Sequence, residues 1–106
     1  MRWTRRAQAR TPHPDPAREL DLRRILDLRD SIARRADLIA QYRIDISRLH
    51  AQARAESNVK RIELYLAEAA ALDGRITAAE DAIAATGEQI AALQAVMSPD
   101  DLAYLS

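Results

Sequence analysis

The 106-residue chain carries 16 Lys plus Arg and 16 Asp plus Glu, with no Cys, no Phe and only two Gly. So short a chain forms at most one small domain, which excludes a self-sufficient catalytic core of ordinary size, and the missing Cys excludes disulfides and thiolate metal sites. Ala supplies 22 residues against 23 for Leu, Ile and Val together, and such a mixture with Arg, Asp and Glu and almost no Gly predicts an all-α fold of long paired helices.

In chain order, residues 1–15 read as a flexible basic arm, in which Arg2, Arg5, Arg6 and Arg10 stand beside Trp3 against the single acid Asp15. The TPHPDP run cannot continue a helix, because each proline lacks a donor and biases its predecessor toward extended backbone. Asp15 and Pro16 then suit the N-cap and first turn of a helix beginning near residue 16 or 17. In that helix Ile25, Ile32, Ile39 and Ile46 recur every seven residues and Ala53 extends the series. Leu28, Arg35, Tyr42 and Leu49 follow three residues behind. These are a and d positions of a heptad, with Arg35 interrupting the seam. Leu22, Ala36 and Leu38 widen the stripe beyond that of a two-stranded zipper.

A second series, Ile62, Ala69, Ile76, Ile83, Ile90 and Met97, has Tyr65, Leu72, Ala79, Thr86 and Leu93 as its companions. It is out of register with the first, since the seven-residue step from Ala53 lands on Lys60. A break near residues 55–58 is therefore expected, with Ser57 or Asn58 capping the next helix and the two helices lying antiparallel as a hairpin. One continuous helix with a phase shift is the competing arrangement. Gly74 after Asp73 could mark a turn, but Leu72 and Ile76 stay in phase across it, which favours an unbroken helix. The hairpin domain spans residues 16–97. Ser98-Pro99-Asp100-Asp101 then starts a short helix within residues 98–106. Its apolar tip, Leu102, Tyr104 and Leu105, either docks on its own bundle or serves as a short element read by a partner.

Net charge divides along the chain. Residues 1–61 carry 15 bases against 8 acids, and residues 62–106 carry one base against 8 acids. The basic half suits nonspecific phosphate contact, with Arg2, Trp3, Arg5, Arg6, Arg10, Arg23 and Arg24 as the candidate DNA-binding residues. No base-reading motif accompanies them, and the arginines have competing partners in the acids of their own helix and of the helix opposite.

Signals for catalysis are missing: His13 and His50 lack metal-ligand spacing, and there is no phosphate loop or nucleophile elbow. A non-enzyme without metal or cofactor is expected. No apolar run reaches the length of about 18 residues that a membrane span requires. The basic start lacks the apolar stretch of a secretory signal, so a cytoplasmic setting is expected.

The two heptad series, Ile25, Ile32, Ile39, Ile46 and Ile62, Ile76, Ile83, Ile90, together with the terminal SPDDLAYLS, resemble the oligomerisation core and C-terminal segment of small terminase subunits of tailed phages, in the reduced form of a phage-derived gene transfer agent. The resemblance covers about residues 17–106. It implies a homo-oligomer, possibly a ring, assembled through those eight isoleucines. That assembly would recruit a large terminase ATPase and nuclease through Asp100, Asp101, Leu102, Tyr104 and Leu105, and touch DNA weakly and without sequence preference. The chain departs from the family in having only MRWTRRAQAR where a helix-turn-helix usually stands. A helical assembly chaperone, or a structural coiled-coil subunit holding a protein client, is the alternative from a different class.

Overall fold

The computed structural model describes residues 16–105, with side chains from Arg18 onward. They form three helices: α1 over Pro16–Ala55, α2 over Val59–Ala95 and α3 over Pro99–Leu105. At 1.5 Å per residue, α1 is about 60 Å long. α2 packs antiparallel along it, so the chain is an all-α hairpin with a short C-terminal helix.

The two heptad registers are separated by a turn and not by a phase shift within one helix. Neither proline nor glycine makes this turn; polar side chains do. Asn58 has extended backbone (φ −78°, ψ 116°), and its Oδ1 accepts from the amides of Lys60 and Arg61 at 3.0 and 3.3 Å. One residue type thus satisfies donors that a helix start leaves unpaired. Glu56 closes the other side, its Oε1 accepting from the amides of Ser57 and Asn58, each at 3.1 Å.

The predicted a and d residues line the seam between α1 and α2. Ile25, Ile39, Ala53, Ala69, Ile76, Thr86 and Ile90 are buried, and Ile32, Ile46, Ile62 and Ile83 are half-buried. Tyr42 and Tyr65 are half-buried companions in the same series. Two polar residues are tolerated there for local reasons. Thr86 turns its hydroxyl back to the Ala82 carbonyl at 2.8 Å, which removes the penalty of an unpaired donor. Arg35 is half-buried and donates to Ser31 Oγ one turn earlier, so its aliphatic stem covers the seam while the charged end is satisfied. The stripe is narrower than expected at Ala36 and Leu38, both exposed, whereas Leu22 packs against the buried cluster.

α2 runs through Gly74 and Gly87 without interruption, and neither has positive φ. The DG pair is therefore helical. At the end of α2 the chain turns over Val96 to Ser98 and starts α3. Ser98 accepts from the Asp101 amide through Oγ at 3.3 Å and from the Leu102 amide through its carbonyl at 3.1 Å. No helix among the described residues is long and apolar enough to cross a membrane.

Candidate functional site

The open end of the hairpin, opposite the Glu56–Asn58 turn, is where three helices meet. Leu105 of α3, Ile25 of α1 and Ile90 of α2 form one buried cluster, with Leu22, Leu28, Ile32, Leu93 and Met97 packed against it. Ile25 is fully buried there. Two arginines of α1 hold α3 in place. Arg18 pairs with Asp101, whose side chain is 9% exposed, and Arg29 donates to the Leu105 carbonyl at 2.8 Å. A carboxylate so well covered requires a cation beside it.

Docking divides the five candidate partner residues into two sets. Asp101 and Leu105 face inward and are consumed by the contact with α1. Asp100, Leu102 and Tyr104 face outward, Tyr104 at 71% exposure. Beside them lies a groove of about 480 Å³ between α1 and α3, with apolar walls from Leu22, Leu26 and Tyr104 and a charged rim of Arg18, Glu19, Arg23 and Asp100. Such a surface can seat an apolar side chain and orient it with charges of both signs; it contains no nucleophile and base in partnership.

The chain matches no known protein family, no curated protein and no solved structure.

Of the candidate DNA-contacting residues, Arg2, Trp3, Arg5, Arg6 and Arg10 lie outside the described residues. Arg23 and Arg24 are exposed on α1 and border a shallow groove with Leu20, Asp27 and Leu28. Other arginines are already occupied. Arg34 reaches Asp30 at 3.3 Å, Arg48 reaches Asp45 at 3.7 Å, Arg43 reaches Glu80 across the hairpin at 3.9 Å, and Arg61 reaches Glu56 at 3.8 Å. The expected pairing of arginines with acids of the same and the opposite helix is present in the first three of these contacts, and Arg61 pairs with an acid of the turn. Each involves exposed arginine and contributes little to stability.

The eight isoleucines expected to join copies line the seam within one chain, where Ile32, Ile46, Ile62 and Ile83 are half-buried. What is left outside it is a different set: Leu20, Leu38, Ile44, Leu64 and Leu66 are exposed by about half or more. Sequence periodicity marked the seam but could not divide its use between the chain's own helices and a neighbour. Nothing in the sequence marks Arg18, and nothing distinguishes Arg29 from the other arginines of α1. Their partners are at the far end of the chain, and no local spacing signals that kind of contact.

Among the described residues no group of three or more His, Cys, Asp or Glu could hold a metal ion, and His50 is exposed on α1. The strongest electrostatic perturbation is structural. The hydrogen bond from the Asn58 amide, helped by the Ser57 amide and by Arg61, holds the Glu56 carboxyl below its ordinary value against the opposing effect of desolvation. That group closes the turn between α1 and α2.

Proposed function

We propose that this chain is a non-catalytic, self-assembling adaptor for DNA packaging, similar to a reduced small terminase subunit. The observation that carries self-assembly is the imbalance between buried and exposed apolar side chains. Among the described residues, large apolar side chains outside the seam, such as Leu20 at 62%, Ile44 at 55% and Leu64 at 67%, remain exposed. Two helices offer each other one seam, and the described residues form no second layer to cover the remainder. Further copies supply that layer.

The order of parts supports the packaging role. A basic arm precedes the hairpin in sequence, and α3 presents Asp100, Leu102 and Tyr104 at the end where α1 starts. Assembly would gather several arms and several tips at one end, so that weak contacts to DNA and to a large terminase ATPase and nuclease are multiplied. The arm would hold phosphates without reading bases.

Native mass spectrometry of the intact chain tests the assembly; a stable monomer or a lone dimer overturns it. The adaptor role is tested by capturing packaging ATPase and nuclease partners with the intact chain beside one lacking residues 99–106. Loss of a single large partner is expected, and an unchanged set removes the tip from the mechanism. Replacing Arg2, Arg5, Arg6 and Arg10 by Ala should weaken DNA association equally for all sequences and flatten its salt dependence.

The groove beside α3 favours a second reading, a helical chaperone or scaffold that seats a client's apolar segment between Leu22, Leu26 and Tyr104. A client helix displaced by Leu26→Asp, with assembly intact, would distinguish it.

A further inference from the structure

We propose that the groove between α1 and α3 is the seat of Trp3, which the arm of residues 1–15 carries back to the hairpin of its own chain. The contact uses Leu22 and Leu26 of α1 and Tyr104 of α3, and it is independent of any role in packaging.

Tether length limits where the arm can go. The chain enters α1 at Pro16, so Leu22 stands about 9 Å along the helix from the end of the arm. The steps from Thr11 to Pro16, which Pro12 and Pro14 bias toward extended backbone, span about 16 Å. Even if they point straight away from α1, the steps from Trp3 to Thr11 reach about 26 Å, which covers the roughly 25 Å back to Leu22. The hollow lined by Asp45, Leu49 and Leu72 begins about 44 Å down α1, a distance that a fully straight arm barely attains.

Two grooves lined by described residues lie within easy reach, and their linings differ. One, of about 350 Å³, follows α1 between Leu20 and Leu28, with Arg23 and Arg24 against Asp27 alone. The other, of about 480 Å³, has Leu22, Leu26 and Tyr104 for walls, with Glu19 and Asp100 against Arg23. Arg18 on its rim is already paired with Asp101, whereas Glu19 and Asp100 have no ion-pair partner among the described residues. An arm bearing Arg2, Arg5, Arg6 and Arg10 meets a surplus of guanidinium in the first groove and a surplus of carboxylate in the second. Trp3 is the chain's one tryptophan, in a sequence without Phe. An indole buries on the order of 200 Å² and keeps a donor that needs an acceptor when covered. The second groove offers two leucines and a phenol ring to the ring system, and two carboxylates to the N–H. A tethered side chain also meets its groove at an effective concentration in the millimolar range, so a contact too weak to hold a free peptide holds the arm. A client or partner that uses Leu22, Leu26 and Tyr104 must then displace it.

Trp3 reports on its own position, being the only indole in the chain. In the intact protein its fluorescence emission should lie to the blue of that from a free peptide of residues 1–15, and acrylamide should quench it severalfold more slowly. Leu26→Asp and Tyr104→Ala, both at exposed positions, should each return emission and quenching to the peptide's values, with helicity retained by circular dichroism. Tyr104→Phe, and Leu20→Asp in the neighbouring groove, should leave both readings as they were. Emission and quenching equal to the peptide's in the unaltered chain overturn the docking. Protection that survives both Leu26→Asp and Tyr104→Ala overturns this groove as the seat. Mixing Trp3→Ala chains with Leu26→Asp chains at micromolar concentration separates a chain's own arm from a neighbour's. The mixture should stay at the peptide's values; recovered protection would mean that the arm seats in a second copy and would overturn docking within one chain.

Discussion

The guanidinium of Arg29 donates to the main-chain carbonyl of Leu105 across 2.8 Å, while Arg18, three turns earlier on the same helix, pairs with Asp101. α1 thereby grips α3 at both ends, with Leu105 seated between them on Ile25 and Ile90. Asp101 is 9% exposed at its side chain and Arg18 41%. Removing Arg18 strands a carboxylate that can regain water by undocking α3. Arg18→Ala should speed amide exchange over residues 101–105 by roughly tenfold, since local opening is the route to exchange, and leave amides near Ile39 and Ile76 unchanged. Equal exchange in α3 before and after the change would show that the pair does not hold the helix.

Ile25 is the fully buried large side chain of this cluster. Ile25→Ala should cost about 3 kcal/mol, from lost transfer energy and the cavity left under Leu105. The same change at exposed Ile44, which is 55% accessible, should cost far less in the isolated hairpin. Urea denaturation of both variants gives the comparison, and similar midpoints would contradict the assignment of Ile25 to a core.

The turn should respond to both cap loss and acid. Asn58→Ala removes the side chain that accepts from Lys60 and Arg61 and should cost about 1 kcal/mol. Glu56 has its pKa lowered from 4.5 by the Asn58 and Ser57 amides and Arg61. A carboxyl lowered on folding contributes stability that is fully present above the unfolded value and lost as pH falls through the folded one. The intact chain should therefore lose stability below pH 4.5 by more than Glu56→Gln does. Parallel denaturation curves for the two proteins through that window would remove Glu56 from the turn's energetics.

Gly87 and Gly74 both lie in helical backbone with open space where a Cβ would be. Gly87→Ala should stabilise the chain by about 1 kcal/mol through the unfolded state's lost freedom. Gly74→Ala should give the same gain in a monomer. In an assembly whose neighbour approaches α2 closely, that gain shrinks or reverses. Thermal unfolding of the two variants across protein concentration separates the cases.

Much of this architecture follows from spacing. The seven-residue recurrence of Ile25 to Ile46 and of Ile62 to Ile90 identifies which side of each helix is buried, because a heptad keeps one stripe facing one neighbour. The shift of register between them, with Asn58 in reach of two free amides, locates the turn. Leu72 and Ile76 staying in phase across Gly74 predict a continuous α2. The open end was less legible. Asp101 fits an N3 acid at the start of α3, and its position in sequence explains the helix start without revealing that the carboxylate also turns inward to Arg18. The tip could be foreseen as docked or free, and only packing selects docked.

The sequence by itself determined helix lengths, the buried stripe of each helix and where a break would fall, since these depend on propensity, period and capping within a few residues of one another. That the break is a turn was decided by the packing of α2 back along α1. Tertiary structure decided how deeply each isoleucine is buried in the seam, which arginine meets which carboxylate, and which half of α3 is hidden. Those outcomes depend on groups far apart in the chain arriving at one height. For Arg18 and Asp101, or Ile25 and Leu105, that meeting is set by where the hairpin folds back, and no local pattern records it.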